Sequence, residues 1–228
     1  MEGVLLINKP LGWTSFDVVK NIRRIIENEL KTAKRFPVGH AGTLDPLATG
    51  LLIILVGSYT KKASELLKLD KEYIFTMKLG FTSTTDDEEG EKTAISKLIP
   101  PRADIDEVVQ NFEKTYQQTP PIFSAIKIKG QKSYQLARQG RSVVLEPRTV
   151  TVKRLEILGY SYPLIELRAA VSSGTYIRSL ARDIGDVLAT GGYVTSLRRT
   201  KVGQYDLNDA QDMEKISAQS ISANLLTK

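Results

Sequence analysis

The 228-residue sequence contains no cysteine and only one histidine, His40. Without cysteine the chain forms neither disulfides nor thiolate metal sites, and a single histidine excludes a zinc site built from several histidines. No apolar run reaches the ~18–20 residues of a transmembrane helix. The N-terminal residues lack the basic leader and cleavage site of a signal peptide and predict a strand instead. We therefore expect a metal-free protein of the cytoplasm that does not contact membranes.

Acidic residues are scarce in the C-terminal half, so the charge is unevenly distributed. Residues 120–203 contain 14 Lys and Arg against 5 Asp and Glu, a balance of +9. Residues 82–115 contain 4 against 9, a balance of −5. A basic half together with an acidic segment is typical of proteins that bind a polyanion. Charge alone leaves a solvated basic surface as an equal alternative.

One segment, residues 39–50, has too little regular pattern to predict either a helix or a strand. It contains three glycines and a proline, which permit or impose unusual backbone angles. It also contains His40 and a single carboxylate, Asp45, beside Pro46. An apolar run follows at residues 51–56 and predicts a buried strand. Binding and catalytic groups tend to lie in such loops, although a plain Asp-Pro turn explains the same residues.

The remaining chain is predicted to contain both short strands and helices. Apolar residues spaced about 3.6 positions apart predict helices over residues 15–29, 59–69 and 105–116. A further helix is predicted after a cap in residues 172–175, and Val187 is among the positions expected to point inward. Strands are predicted over residues 3–8, 51–56, 71–80, 122–128, 150–158, 164–171 and 193–202. Residues 82–92 predict a mobile acidic loop, and the tail from Leu207 begins with a capped helix. Strands outnumber helices without regular βαβ alternation, which favours an α+β fold with a largely antiparallel sheet.

Five motifs, in their order along the chain, resemble the TruB family of tRNA pseudouridine synthases. They are Lys9-Pro10 ahead of Thr14-Ser15, residues 39–50, Lys71-Glu72-Tyr73, residues 173–178 and Leu197-Arg198-Arg199. The resemblance covers residues 3–205, and residues 46–50 and 124–140 are similar to the bacterial stand-alone enzymes rather than to the guide-RNA-dependent relatives. It implies the pseudouridine synthase fold, in which helices flank a mixed, largely antiparallel central sheet. It also implies conversion of uridine 55 in the T-loop of tRNA to pseudouridine by a monomer that needs no cofactor and no obligate protein partner.

The resemblance implies roles for individual residues. Asp45 matches the catalytic aspartate, Arg178 the arginine paired with it, and Tyr73 the tyrosine that packs on the target base. Leu197 matches an apolar wall of the pocket, and His40 the histidine that contacts RNA near the extruded base. Further substrate-binding residues are implied in the motifs and in an RNA-clamping insertion at residues 124–152, namely Lys9, Lys71, Tyr176, Lys127, Lys129, Lys132, Tyr134 and Arg138.

The resemblance also predicts the domain organisation. Residues 1–205 correspond to the catalytic domain, and residues 206–228 to a short tail. Family members often carry a C-terminal PUA domain, but 27 residues follow Lys201, fewer than the ~50 that a domain needs. We therefore expect a tail without a complete PUA domain.

The implied residues suit the implied chemistry. Pseudouridine formation breaks a C–N bond and makes a C–C bond on the same uridine, so the stoichiometry requires neither a cofactor nor a metal. An ionised carboxylate can act as the nucleophile. Burial favours the neutral acid, whereas an adjacent arginine favours the ionised form. Extruding the base costs a few kcal/mol, and a single-stranded loop with an aromatic partner makes this feasible. Attack at C6 of the base or at C1′ of the sugar stays open.

Two alternatives stay open at this point. The first is a synthase that acts on another RNA or needs a guide RNA. The second is an RNA-binding or RNA-folding factor in which residues 39–50 are only structural. Taken one at a time, Tyr73 and Leu197 are ordinary core residues, Arg178 an ordinary surface ion-pair residue and His40 a loop residue without a role. The combination in family order favours the synthase.

Overall fold

The computed structural model describes residues 1–124, 126–128 and 130–227. Its α-helices are α1 (Ser15–Glu29), α2 (Ala63–Leu67), α3 (Arg102–Asn111), α4 (Ser133–Arg138), α5 (Ile177–Val187) and α6 (Ala218–Ala223). Its strands are β1 (Gly3–Lys9), β2 (Val38–Ala41), β3 (Ala48–Val56), β4 (Lys71–Leu79), β5 (Phe81–Ser83), β6 (Lys92–Ala94), β7 (Thr115–Gln118), β8 (Lys127–Ile128), β9 (Gln131–Lys132), β10 (Arg148–Ser161), β11 (Leu164–Val171), β12 (Gly192–Val202), β13 (Tyr205–Asp206) and β14 (Gln211–Asp212). Short 3-10 helices occupy Gly57–Lys62, Leu207–Asp209 and Met213–Lys215.

The chain forms two compact units. Unit 1 comprises Met1–Tyr73 and Leu197–Lys228, and unit 2 comprises Ile74–Ser196. The predicted catalytic domain, residues 1–205, therefore contributes to both units, and the predicted tail belongs to unit 1. The backbone of β4 and that of β12 each continue from one unit into the other.

Unit 1 is built around β3. Antiparallel partners of β3 are β1 and β2, while β12 pairs with it in parallel and β14 adds in parallel to β1. Residues 51–56 are all buried, which explains why β3 is a continuous apolar run rather than an alternating one. Helix α1 packs against β2 and α6. It begins at Ser15 because Thr14 and Asp17 form a reciprocal capping box.

Unit 2 contains a sheet in the order β4-β11-β10-β7, with the first part of β12 beside β4. Strand β10 is antiparallel to both β11 and β7. Within β4 the burial alternates, and Phe75, Met77 and Leu79 point inward, as the period-two pattern predicts. The predicted α+β fold with a mixed, largely antiparallel sheet is confirmed. No helix among the described residues combines the length and apolar character needed to cross a membrane.

Several predicted elements were wrong in extent. Residues 39–41 and 48–50 belong to β2 and β3, so the irregular loop is limited to residues 42–47. In the predicted strand over residues 122–128, only Lys127 and Ile128 are in a strand among the described residues. Local composition predicts the limits of a strand poorly, because sheet pairing depends on distant partners. This applies to glycine and proline in the first segment and to the apolar residues in the second.

The acidic segment and α5 also differ from prediction. The ends of the predicted loop over residues 82–92 lie in the paired strands β5 and β6, so the loop is limited to residues 84–91. Helix α5 begins at Ile177 after Tyr176, without a side-chain cap from the predicted residues 172–175. Val187, predicted to point inward, is 62% exposed at the last turn. The tail begins with the 3-10 helix Leu207–Asp209, which Asp206 caps, rather than with an α-helix.

Candidate active site

The loop that carries Asp45 is held on both sides of this residue. On one side, the Ser15 hydroxyl accepts from the Leu44 amide at 2.8 Å and donates to the Leu44 carbonyl at 3.1 Å. On the other side, the Pro46 carbonyl accepts from the Gly12 amide at 2.8 Å. The Asp45 carbonyl closes a turn by accepting from the Ala48 amide at 3.0 Å. An Asp-Pro turn is therefore present, and it presents a partly exposed carboxylate from an anchored backbone.

Lys9 lies beneath this loop. Its side chain is fully buried, and its ammonium group donates to the carbonyls of Trp13 at 2.6 Å, Pro10 at 2.9 Å and Pro46 at 3.4 Å. Burial lowers the pKa of Lys9 from 10.5 to about 8, and the charge of Asp45 acts in the opposite direction. Lys9 therefore joins the turn after β1 to the Pro46 side of the loop, and its predicted contact with substrate stays a prediction.

Lys71 has a similar environment at the start of β4. Its ammonium group donates to the carbonyls of Leu69 at 2.6 Å and Leu67 at 2.7 Å. Burial lowers its pKa from 10.5 to about 8, and the charge of Arg199 adds to the effect. Lys71 therefore caps the carbonyl of Leu67, the last residue of α2, and binds that of Leu69 just beyond the helix. Its contact with substrate likewise stays a prediction.

Arg199 is the central cation of unit 1, although the sequence indicated it only as part of a motif. It is 1% exposed, and its guanidinium donates to the Leu51 carbonyl at 2.8 Å and to the Gly42 carbonyl at 2.9 Å. Gly50, at φ +98°, lies opposite Arg199 in the β3–β12 register, where a Cβ would be 2.3 Å from the Arg199 carbonyl oxygen. Only glycine fits there, which gives one of the motif's glycines a physical reason.

The other predicted residues of unit 1 lie on strands next to the loop. Leu197 is buried and pairs with Ala48 across β12 and β3, three positions from Asp45. Tyr73 is buried on β4, whose neighbour Glu72 accepts from the Thr200 hydroxyl of β12 at 2.7 Å. Leu197 is therefore on the strand beside β3, which follows the Asp45 loop, and Tyr73 is on the next strand of the sheet.

His40 lies on β2, paired with Ile54 of β3. Burial and then the charge of Arg199 lower the pKa of His40 from 6.5, so its imidazole is neutral at pH 7. Its Nδ1 atom is buried and makes no hydrogen bond to any described residue. A neutral ring of this kind can pack against an apolar or aromatic surface without carrying a charge into it.

Arg178 lies in unit 2, in the first turn of α5, and is 5% exposed. It pairs with the buried carboxylate of Asp87 at 3.2 Å and donates to the carbonyls of Thr85 at 3.0 Å and Phe123 at 2.9 Å. The sequence did not indicate Asp87, which was assigned to a mobile acidic loop. This ion pair holds the guanidinium in place, because moving it away would leave the buried carboxylate of Asp87 without a compensating charge.

Gln118 binds the backbone next to Arg178. Its side-chain amide accepts from the Tyr176 amide at 2.9 Å and donates to the Tyr176 carbonyl at 3.1 Å, so it joins β7 to the residue that precedes α5. One turn further along α5, Arg182 pairs with Asp86 at 2.8 Å. The predicted residue Tyr176 is thus held through its backbone, by a partner that no sequence motif indicated.

The predicted clamp residues that the structure describes come together in unit 2. Lys127 and Lys132 face each other across the β8–β9 hairpin. The Tyr134 ring has the Lys132 ammonium 5.6 Å from its centroid and the Arg138 guanidinium 5.7 Å from it. Lys129 lies outside the described residues. The described part of the clamp is therefore a small basic surface with one aromatic ring, as nucleic-acid binding requires.

Comparison with known proteins identifies the family. Residues 28–177 match the sequence model described as TruB family pseudouridylate synthase, N-terminal domain, which covers more than half of the chain. The chain belongs to the TruB family. Residues 178–226 match the C-terminal domain of tRNA pseudouridylate synthase B. The resemblance that the motifs carried is thereby confirmed.

TruB relatives are found in several bacteria. A protein of Parabacteroides distasonis named tRNA pseudouridine synthase B is 45% identical over 215 residues, covering 93% of this chain and 91% of that protein. A protein of the same name from Chloroherpeton thalassium is 42% identical, covering 97% and 94%. One from Clostridium kluyveri is 38% identical, covering 97% of this chain and 74% of that protein.

Solved structures share the TruB fold. A chain in the crystal structure of a Cbf5-Nop10-Gar1 complex has a TM-score of 0.70 and 30% identity over 93% of this chain. A chain in an H/ACA RNP bound to a substrate RNA containing 2'-deoxyuridine has a TM-score of 0.67 and 28% identity. This TruB chain spans about half the length of those chains, 52% and 51%. The predicted pseudouridine synthase fold is confirmed.

Proposed function

We propose that this protein converts a uridine of tRNA to pseudouridine, at position 55 of the T-loop, with Asp45 as the nucleophile. The observation that carries the proposal is the anchored loop of a TruB family chain, in which Leu44 and Pro46 are both hydrogen-bonded while Asp45 between them is partly exposed. A nucleophile held in this way needs little reorganisation to react.

The surroundings of Asp45 support this role. The buried ammonium group of Lys9 and the carboxylate of Asp45 attract each other electrostatically. Leu197 on β12 is suited to supply the apolar wall that an extruded base requires, and Tyr73 on β4 the aromatic face. The neutral imidazole of His40 is suited to occupy the space that the base leaves.

Arg178 is the proposed second catalytic residue. Its planar guanidinium is already oriented by Asp87 and by two backbone carbonyls. A fixed guanidinium can hold a carboxylate or a reacting oxygen in one orientation, which a flexible ammonium group cannot. Its pairing with Asp45, which the family resemblance implies, stays a prediction.

The choice of substrate rests on the relatives. Bacterial proteins with 38–45% identity and nearly full coverage of this chain are named tRNA pseudouridine synthase B. The structural neighbours in the Cbf5-Nop10-Gar1 and H/ACA RNP complexes have 28–30% identity. The higher similarity favours tRNA as the substrate, bound through its T-arm, and a monomer that acts in the cytoplasm without a guide RNA or an obligate protein partner.

A single-turnover assay on an unmodified T-arm transcript tests the proposal with purified protein alone. Wild type should form pseudouridine at position 55, while Asp45→Asn should bind the RNA and form none, because an amide keeps the shape but is not a nucleophile. Arg178→Lys should lose most of the activity. Asp106→Asn, in an exposed ion pair of α3, is the control for removing an acid elsewhere.

Two results would contradict the proposal. An Asp45→Asn rate within tenfold of wild type, about 1.4 kcal/mol of barrier, would show that Asp45 is not the nucleophile. Activity that appears only when a guide RNA or partner proteins are added would show a guide-directed enzyme.

A further inference from the structure

A groove of about 450 Å³ lies at the N-terminal end of α1. Its lining consists of Gly12, Trp13, Asp17, Lys20, Asn21 and Arg24. The groove adjoins the Asp45 loop directly, because the Gly12 amide donates to the Pro46 carbonyl at 2.8 Å. The Trp13 carbonyl accepts from buried Lys9, so the tryptophan is fixed to the same anchor as the loop.

Two exposed cations line this groove, Lys20 and Arg24, one turn apart on α1. The charge of Lys20 attracts the nearby carboxylate of Asp17, but no salt bridge is formed by either cation among the described residues. Arg23, between them in sequence, is used differently, since it donates to the carbonyls of Phe36 and Val38. The carboxylate of Asp17 is engaged in the helix cap, where it accepts from the Thr14 amide and hydroxyl.

Aromatic and apolar side chains accompany the cations. Trp13 lines the groove, and Phe16 and Leu11 next to it are 57% and 68% exposed. Exposed aromatic rings interleaved with lysine and arginine are how proteins bind single-stranded nucleic acid, since bases stack on the rings and phosphates bind the cations. A purely apolar partner would leave both cations unpaired, whereas an RNA strand satisfies both features.

We propose that this groove binds a single-stranded segment of the substrate RNA close to the target uridine. One base stacks on Trp13, and the neighbouring phosphates contact Lys20 and Arg24. The inference rests on the proposed function and extends it, because it assigns a second RNA contact outside the residues 124–152 of the clamp. The hydrogen bond between the Gly12 amide and the Pro46 carbonyl links this contact to the loop that carries Asp45.

The tryptophan itself provides the test, because Trp13 is the only tryptophan in the chain. Titrating the T-arm RNA into the Asp45→Asn protein should quench or shift the emission of Trp13, in parallel with binding measured independently by the anisotropy of a labelled RNA. RNA that binds by anisotropy while the emission stays unchanged would overturn the proposal. Quenching by an RNA that even the wild-type protein fails to isomerise would support the groove while contradicting the proposed function.

Variants test the energetic contribution. Trp13→Ala should weaken RNA binding about 5- to 150-fold, the range expected for loss of one base–aromatic stack, and Trp13→Phe should restore most of it. Because Trp13→Ala can also disturb the loop, Lys20→Glu/Arg24→Glu provides a second test with both changes at exposed positions. Its matched control is Lys34→Glu/Arg35→Glu, also exposed and with the same change of charge.

The salt dependence of binding separates a local contact from a general effect of charge. Two lost phosphate contacts should reduce the slope of log K against log salt by about 1.4 in the Lys20/Arg24 variant. The control variant should keep the wild-type slope. Equal slopes in both variants, or RNA affinity within twofold of wild type for Trp13→Ala, would overturn the assignment.

Discussion

Lys9 and Lys71 are lysines whose ammonium groups lie inside unit 1 and bind backbone carbonyls. Burying an ammonium group is costly, and for each of them the burial lowers the pKa from 10.5 to about 8. At pH 7 both remain protonated, so the folded state bears the cost of two buried charges. Part of this cost is offset by the carbonyls that they hold around the Asp45 loop and at the end of α2.

The pH dependence of stability should reveal both lysines. Below pH 8 each is protonated in the folded and the unfolded chain. Between pH 8 and 10.5 the folded chain releases the proton first, so the unfolded chain binds more protons and the free energy of unfolding rises with pH. The rise is up to about 1.4 kcal/mol per pH unit for each lysine.

Urea unfolding of the wild type and of Lys9→Met and Lys71→Met at several pH values from 7 to 10.5 measures this effect. Each variant should lose its share of the rise, while Lys34→Met, at an exposed lysine, should follow the wild type. Parallel pH profiles for the wild type and both buried-lysine variants would show that the two groups do not deprotonate on folding in this range.

Strand β7 and helix α5 are joined through Gln118, whose amide holds both backbone polar groups of Tyr176. Gln118 is 1% exposed, so water does not replace these bonds if the side chain is removed. The start of α5 lacks a side-chain cap, and Gln118 supplies a hydrogen-bonding partner at that point instead. The element that carries Arg178 is therefore positioned from a strand nearly 60 residues earlier.

Gln118→Ala should destabilise the protein by about 1–3 kcal/mol, the cost of leaving buried polar groups unpaired. Because the change is transmitted to Arg178, kcat should fall while the KM for RNA changes little. Gln117→Ala is the matched control, since Gln117 is exposed on the other face of β7 and its loss should stay within about 0.5 kcal/mol. Thermal unfolding and steady-state kinetics of both variants make the comparison. A Gln118→Ala protein with wild-type kcat would restrict the residue to a structural role.

Across the whole molecule, only part of the positive charge lies on the surface. The balance of +9 over residues 120–203 includes Arg199, which is buried in unit 1, and Arg178, which pairs with Asp87 in unit 2. Those cations do not contribute to an exposed basic surface. The exposed clamp residues Lys127, Lys132 and Arg138 do, and the last two lie over the ring of Tyr134.

The affinity for tRNA should therefore fall steeply with salt, and the clamp should account for much of this dependence. Replacing Lys127, Lys132 and Arg138 by glutamine should reduce the slope of log K against log salt by up to about 2–3 units, one phosphate contact for each residue. Replacing Lys97, Arg102 and Lys114 in the acidic segment removes the same charge and should leave the slope unchanged. The clamp assignment is wrong if both triple variants give the same slope.

The sequence by itself determined the features that depend on local pattern. Alternation predicted β4, 3.6-residue spacing predicted α1, and the ordered motifs indicated the family. It also indicated the loop around Asp45, because glycine and proline interrupt regular structure there. These signals are carried by residues within a few positions of each other, so no tertiary information is needed to see them.

Only the tertiary structure decided which groups hold the catalytic candidates in place. Ser15 binds Leu44 across 29 residues, Gln118 binds Tyr176 across 58, and Asp87 binds Arg178 across 91. The sequence therefore predicted a mobile loop for the acidic segment, and it did not indicate that Arg199 is buried against the carbonyls of Leu51 and Gly42. Periodicity predicts which face of an element is buried, but the partner of a buried polar group is set by where distant segments meet. That meeting follows from sheet pairing and packing of the whole chain, which no local pattern contains.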